Sequence, residues 1–250
     1  MADCIFDHVT IRVADLAASE DFYAPLLGTL GVELVARSDI GPDWGVFSMA
    51  GASSEQPVTR NAHLAFVSPS REVVDAFWNA GVDAGYVDDG APGLRPEYSD
   101  DYYGAFLRDP DGNSVEAVHH GTTHRRHQID HVWMRVRDVG ASQPFYERVG
   151  RHAGFDVRFN RSTGRLHCSA PNGGFTLVRG LPTAELHLAF PARDNEAVAA
   201  FHRDLTSAGY ADNGPPGERP VYHPGYYGAY VLDPDGNNVE LVHHSDVGVQ

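Results

Sequence analysis

Tyr102-Tyr103-Gly104-Ala105, then Asp109-Pro110-Asp111-Gly112-Asn113, then Val115-Glu116, is a passage this chain writes twice. It returns as Tyr226-Tyr227-Gly228-Ala229, Asp233-Pro234-Asp235-Gly236-Asn237 and Val239-Glu240, each 124 residues after its counterpart. Working outward, His63-Leu64-Ala65-Phe66 recurs as His187-Leu188-Ala189-Phe190, also 124 residues on, and Asp7-His8-Val9 recurs as Asp130-His131-Val132 with an offset of 123. Duplication on this scale means two copies of one folding unit. Each copy carries two histidines and one glutamate in the same order, a donor set suited to a metal ion.

The segments around these motifs read as strands and helices. Ile5–Val13 alternates, Val9, Ile11 and Val13 on one face and His8, Thr10 and Arg12 on the other; Ile129–Val136 does the same with Val132, Met134 and Val136 against His131, Trp133 and Arg135. A helix follows each, with Asp15 and Asp138 as N-caps and Phe22-Tyr23 and Phe145-Tyr146 as matching apolar pairs. Short strands are expected near Val32–Ala36, Trp44–Met49, Val157–Phe159 and Arg165–Ser169, and again at His63–Val67 and His187–Phe190. Helices are expected near Arg71–Ala80 and Asn195–Ala208, ended by Gly81 and Gly209. Loops rich in Gly, Pro and Asp (Asp88–Asp101, Asp212–Gly225) lead to a final hairpin whose turn is DPDGN. The expected domains are 1–120 and 129–250, joined by a polar linker, 121–128, each domain reading βαβββ–βαβββ.

This order of elements, with Asp-His at the first strand, Phe-Tyr in the first helix and DPDGN-x-x-E at the end, resembles the vicinal oxygen chelate superfamily. That group embraces glyoxalase I, fosfomycin-resistance transferases, bleomycin-binding proteins and extradiol dioxygenases. The resemblance runs from Ile5 to His244. It implies an α+β fold in which four βαβββ modules pair into two curved, cup-like mixed sheets with helices on the outside. It further implies a divalent metal ion (Fe, Mn, Zn or Ni) held by His8, His63 and Glu116, and by His131, His187 and Glu240. The modules either close within each half, giving those two trios, or exchange, giving His8/His187/Glu240 and His131/His63/Glu116; the sequence does not choose.

Two imidazoles and a carboxylate leave about half of an octahedral shell open for two vicinal oxygens of a substrate. Glyoxalase relatives add a second carboxylate; Glu55 and Gln56 are the nearest residues here, and their counterparts Phe175 and Thr176 lack one. Tyr230 stands ten residues before Glu240, where ring-cleaving relatives carry an active-site tyrosine, while the first copy has Phe106. His167 and His223 are further acid/base candidates. Arg12, Arg135, Trp133, Tyr103 and Tyr227 are candidates for substrate binding. The pairs His119-His120 and His243-His244 read as surface or edge residues. Two classes stay in play. One is a metal-dependent enzyme of the glyoxalase/dioxygenase type, lyase, isomerase or oxidoreductase. The other is a metal-independent drug-sequestering protein with walls drawn from Trp44, Trp133 and the Tyr pairs.

Composition narrows the partners. A net charge of −15 disfavours nucleic acid and anionic membranes, leaving a small molecule as the expected ligand. The charge is uneven: residues 1–120 carry 6 Arg against 20 acids, and residues 128–250 carry 11 Arg against 14. All 19 basic residues are arginine, which excludes a lysine Schiff base or a Walker-type lysine. Cys4 and Cys168 fall at unmatched positions and are expected as separate thiols. With no apolar run of membrane length and no leader pattern at Met1–Thr10, a cytoplasmic protein is expected, either a monomer with an internal pseudo-dimer or a homodimer.

Overall fold

Alternation builds the first strand of each half. In a computed structural model that describes residues 4–121, 128–171 and 173–245, β1 (His8–Val13) buries Val9, Ile11 and Val13, and β9 (Ile129–Val136) buries Val132, Met134 and Val136. The histidine of each strand stands on the opposite, half-buried face. α1 (Leu16–Thr29) and α3 (Val139–Ala153) follow, and the Asp15 and Asp138 carboxylates each accept two backbone N–H bonds at the helix start. Each of these helices contains a proline, Pro25 or Pro144.

The first module continues with β2 (Ala36–Arg37), β3 (Pro42–Asp43) and β4 (Phe47–Gly51), and the third with β10 (Asp156–Asn160), β11 (Arg165–Ala170) and β12 (Gly173–Arg179). The second module is β5 (His63–Val67), α2 (Arg71–Asp83), β6 (Val87–Leu94), β7 (Tyr103–Arg108) and β8 (Ser114–His119). Its repeat, the fourth, is β13 (His187–Pro191), α4 (Asn195–Ser207), β14 (Asp212–Glu218), β15 (Tyr226–Leu232) and β16 (Asn238–His244).

Three expectations are corrected. The expected loops Asp88–Asp101 and Asp212–Gly225 are taken up in large part by sheet-edge strands, Val87–Leu94 and Asp212–Glu218, with register shifts, an edge being where a strand tolerates Pro and Gly. Gly81 lies inside α2, because a Cβ there would fall 2.3 Å from Leu107 Cδ1; it permits close helix–sheet approach, and Gly85 (φ +87) follows the helix instead. Trp44, offered as a cup wall, is 1% exposed and stacks on Phe47 in the core.

Sheet order decides how the modules pair. One eight-stranded mixed sheet runs β14-β15-β16-β13-β1-β4-β3-β2 and the other β10-β11-β12-β9-β5-β8-β7-β6. The seams are antiparallel: β1 meets β13 with His8 opposite Ala189, and β5 meets β9 with Ala65 opposite His131. Module one therefore shares a sheet with module four, and module two with module three. The halves exchange modules.

Within each half the modules are joined by a different device, hidden in DPDGN. Asp109 is buried; its carboxylate accepts from the backbone N–H of Asp111 and Asn113, the Asn113 amide and the Tyr23 hydroxyl (2.9 Å). Asn113 is fully buried, accepting from Ala62 N–H and donating to the Thr59 carbonyl. The second copy repeats this with Asp233, Tyr146 (2.8 Å) and Asn237. A single hydrophobic cluster then runs through both sheets, Phe47 meeting Phe66 edge-on and Phe175 tilted against Phe190. The two cysteines are buried free thiols. Among the described residues no helix is long and apolar enough to cross a membrane. Most of the expected linker, 122–127, lies outside the described residues.

Candidate metal centres

Module exchange assembles two trios. In the first cup, His8 on β1, His187 on β13 and Glu240 on β16 present ligand atoms within 4.8 Å of one another; in the second, His63 on β5, Glu116 on β8 and His131 on β9 do the same. The donor strands lie side by side: Ala189 is in register with both His8 and Glu240, and Ala65 with both Glu116 and His131.

The donor atoms converge at ligand-like distances. His8 Nε2 is 3.0 Å from His187 Nε2, and Glu240 Oε2 is 3.1 Å from His187 Nε2 and 3.7 Å from His8 Nε2. In the second cup Glu116 Oε2 is 3.0 Å from His63 Nε2 and 3.7 Å from His131 Nε2. Two donors roughly 2.0–2.1 Å from a shared ion stand about 2.9–3.4 Å apart at octahedral to tetrahedral angles. Both glutamates are 1% exposed, yet Glu240 Oε2 accepts no hydrogen bond. A buried carboxylate oxygen without a donor costs about 1–3 kcal/mol or more, a penalty a cation removes. The residues fit a divalent ion.

Every other atom of the trio is spoken for. Asp7 Oδ1 is 2.8 Å from His8 Nδ1, and Asp130 Oδ1 is 2.8 Å from His131 Nδ1. That bond places the proton on Nδ1 and leaves Nε2 free to ligate. The far oxygen of each aspartate meets a second histidine, His244 Nε2 at 2.9 Å or His120 Nε2 at 3.0 Å. His120 and His244, expected as surface or edge residues, are half-buried and exposed respectively, and both are tied to the ligand histidines through these aspartates; His119 and His243 bond instead to the Ser68 and Ala192 carbonyls. His63 Nδ1 is 3.1 Å from Ser114 Oγ, which donates to Asp89, and His187 Nδ1 is 2.7 Å from the Asn238 amide.

The duplicated Tyr-Tyr-Gly acts on the glutamates. Tyr102 donates to Glu116 Oε1 at 2.6 Å, and Tyr226 to Glu240 Oε1 at 2.8 Å. A Cβ on Gly104 would fall 2.5 Å from Glu116 Oε1, and on Gly228 2.3 Å from Glu240 Oε1, so only glycine leaves room for the carboxylates. Tyr103 and Tyr227, one residue on, belong to the other face of their strands by the period of two. Tyr103 donates to Asp75 on α2 and Tyr227 packs against the core, which corrects their expected place in the cups.

Charge states follow burial and neighbours. Burial raises Glu116 to about 7. Burial and the Arg135 guanidinium depress His63 to about 4. His187 is lowered, chiefly by burial. For His8 burial is outweighed by the hydrogen bond to Asp7 and the charges of Glu240 and Asp7, so its pKa rises. Asp7 and Asp130 are half-buried, which by itself would raise them, yet their two histidines each hold them below the usual carboxylate range.

The remaining candidates divide between the cups. Tyr230 on β15 is opposite Glu240 in the ladder, its ring 6.2 Å from the His187 ring, beneath the Arg219 guanidinium. His167 on β11 belongs to the other cup, so the two are not partners in one site. It lines a cavity of about 260 Å³ with Tyr98, Tyr102, His131, Trp133 and Thr176. His223 is exposed at the rim and reaches the first cup through a chain, its Nε2 2.9 Å from His244 Nδ1. Arg12 and Arg135 lie on the histidine faces of β1 and β9; their guanidinium groups donate to the Gly51 and Asn61 carbonyls. Glu55 and Gln56 are exposed in the loop after β4; the neighbour-strand positions facing Thr10 and Trp133 are Ser48 and Thr176. Sequence reading missed the roles of Asp7, Asp130, Tyr102, Tyr226, Gly104 and Gly228, although every one lies in a duplicated motif.

Comparison with known proteins agrees with this architecture. The family model described as Glyoxalase/Bleomycin resistance protein/Dioxygenase superfamily matches twice, over residues 5–117 and 128–241. Glyoxalase I from Zea mays is similar in structure, with TM-score 0.67 at 19% identity, covering 96% of this chain and 92% of its own. A putative dioxygenase from Bacillus subtilis is similar at TM-score 0.62 and 14% identity, covering 96% and 84%. No curated protein matches the chain.

Proposed function

The chain belongs to the Glyoxalase/Bleomycin resistance protein/Dioxygenase superfamily, and we propose that it is a divalent-metal-dependent enzyme of the glyoxalase/dioxygenase type. Its substrate is a small molecule that offers two vicinal oxygens. The observation that carries this reading is the donorless oxygen of Glu240, buried between two imidazole Nε2 atoms. A drug-sequestering protein has no use for such an atom, nor for aspartates that fix the tautomer of His8 and His131.

His8, His187 and Glu240 would hold one ion, and His63, Glu116 and His131 a second; iron, manganese, zinc and nickel all accept this donor set. A bound ion supplies Lewis acidity toward a carbonyl or enediolate oxygen, lowering the pKa of the neighbouring acid. This chain's residues do the rest. Tyr102 and Tyr226 fix the carboxylate orientation. His167, kept below its ordinary pKa by burial and by Arg165, is a neutral imidazole at pH 7 able to take a substrate proton in its cup. Tyr230, raised by burial and by Glu240, keeps its proton and donates in the other. Arg12 and Arg135 orient an anionic substituent. Each cup is completed within one chain, so the working unit is read as a monomer with internal pseudo-twofold pairing.

Metal analysis of protein purified without chelator tests the reading. Two equivalents per chain are expected, falling to one in Glu116→Gln or Glu240→Gln and to none in the double variant. Absence of stoichiometric metal after incubation with all four ions would overturn it. Oxygen uptake with a catechol in the iron or manganese form marks the dioxygenase branch; isomerase or lyase activity in the nickel or zinc form marks the other.

A further inference from the structure

Three strands run side by side in each cup, so the register puts equivalent positions in one cross-strand row. In the second cup that row is Trp133 on β9, Thr176 on β12 and His167 on β11. In the first it is Thr10 on β1, Ser48 on β4 and Asp43 on β3. The repeat has kept the metal trios and changed what lies beside them: an indole becomes a hydroxyl, and an imidazole becomes a carboxylate.

The surroundings reinforce the difference. Trp133 lies 6.0 Å from the His63 ring and 6.2 Å from the His131 ring, with Tyr98 edge-on at 5.8 Å. The Arg165 guanidinium covers Trp133 at 4.6 Å, and among the described residues neither Arg165 nor Arg135 pairs with a carboxylate. The cavity beside them is about 260 Å³, whereas about 150 Å³ already admits benzene. In the first cup Thr10 and Ser48 hydrogen-bond to each other at 2.7 Å, and Asp43 brings a negative charge.

We propose that the two cups serve different ligands: the Trp133 cup binds a planar aromatic anion, its ring against Trp133 and its charge toward Arg165 and Arg135, while the Thr10 cup binds a small, non-aromatic oxygen ligand. The row Trp133–Thr176–His167 is the specificity determinant. Stacking on the indole beside the Arg165 guanidinium favours the first class, Arg12 and Arg135 being matched between the cups, and the hydroxyl-and-carboxylate row disfavours it. This deepens the proposed function and rests on the reading of the trios as the place where ligand oxygens dock.

Calorimetric titration of the full chain, purified without chelator, with salicylate and with lactate tests the assignment; both probes present a chelating hydroxyl–carboxylate oxygen pair and one negative charge, and only salicylate has a ring. Salicylate is expected at one site per chain. Its Kd should rise at least tenfold in Trp133→Thr, which installs the residue of the equivalent strand, and about fivefold in Arg165→Gln at the rim. Lactate binding should change less than twofold in both. Salicylate binding at two equal sites, at none, or unaffected by Trp133→Thr overturns the proposal. Metal content measured on the same samples separates the failures: two ions per chain with unselective cups sinks only this assignment, and selective salicylate binding without stoichiometric metal sinks only the enzymatic reading.

Discussion

Tyr102 donates its hydroxyl to Glu116 Oε1 at 2.6 Å while the other oxygen of that carboxylate faces two imidazoles, so one side chain fixes which oxygen is offered for ligation. Gly104 makes this arrangement sterically feasible. Gly104→Ala is expected to drive the carboxylate from its place and cut metal content from two equivalents per chain to one, measured by elemental analysis. Tyr102→Phe is milder: it removes one charge-assisted hydrogen bond and should weaken binding at that cup only, by about tenfold.

Asp7 and Asp130 hold the Nδ1 protons of His8 and His131. Removing such a partner typically costs 10–100-fold in metal affinity. Asp130→Asn is therefore expected to weaken the second cup by that factor and leave the first unchanged, and Asp7→Asn the reverse. Competition titration against a chromophoric chelator reads both; equal losses in the two cups would contradict independent tautomer control.

The aspartate that opens DPDGN is a structural anchor. Tyr23→Phe removes the hydroxyl that joins α1 to Asp109, leaving a buried carboxylate short of one donor. The expected cost is about 1–3 kcal/mol in denaturant unfolding, with metal stoichiometry intact. Tyr146→Phe, at Asp233, should match it.

Asp204 on α4 gathers His152, Arg148 and Arg151 of α3, and the first half has Ala80 at that position. Burial alone would raise its pKa, but the His152 hydrogen bond and the Arg148 charge lower it. A carboxylate whose folded pKa lies below its unfolded value contributes stability above about pH 4, and that contribution is lost as pH falls through the folded pKa. Asp204→Asn should thus lower Tm by a few degrees at pH 7 and progressively less on acidification. A constant difference down to pH 2 would contradict this.

Module exchange makes each half incomplete. Residues 1–120 alone carry β1 and β5 with open edges where β13 and β9 belong. An isolated half is expected to self-associate or aggregate rather than remain a monomer, and the two halves co-expressed should copurify as a one-to-one complex with both metal sites. Size-exclusion chromatography with mass measurement decides; a stable, monomeric first half would overturn the expectation.

The histidines and glutamates announced themselves through duplication, and the alternation around His8 and His131 already placed them on the polar face of a strand. Tyr102 and Tyr226 were harder to single out, because two adjacent tyrosines look alike until strand parity assigns one to the cup and one to the helices. β6 and β14 escaped because Gly and Pro mark loops in a sequence, and only a sheet edge with bulges makes them strands. His120 and His244 looked superficial because their meaning depends on aspartates more than 100 residues away for His244 and ten for His120.

Local chemistry was thus set by the chain itself: periodicity of two or 3.6 residues, caps, turns and a donor set copied once are properties of short segments. Partnership was not. Whether His8 meets His63 or His187 depends on which strand edge β1 finds, and two near-identical modules present near-identical edges. Tertiary packing resolved that choice by pairing β1 with β13 and β5 with β9, and the same packing set Trp133 beside one trio and Thr10 beside the other.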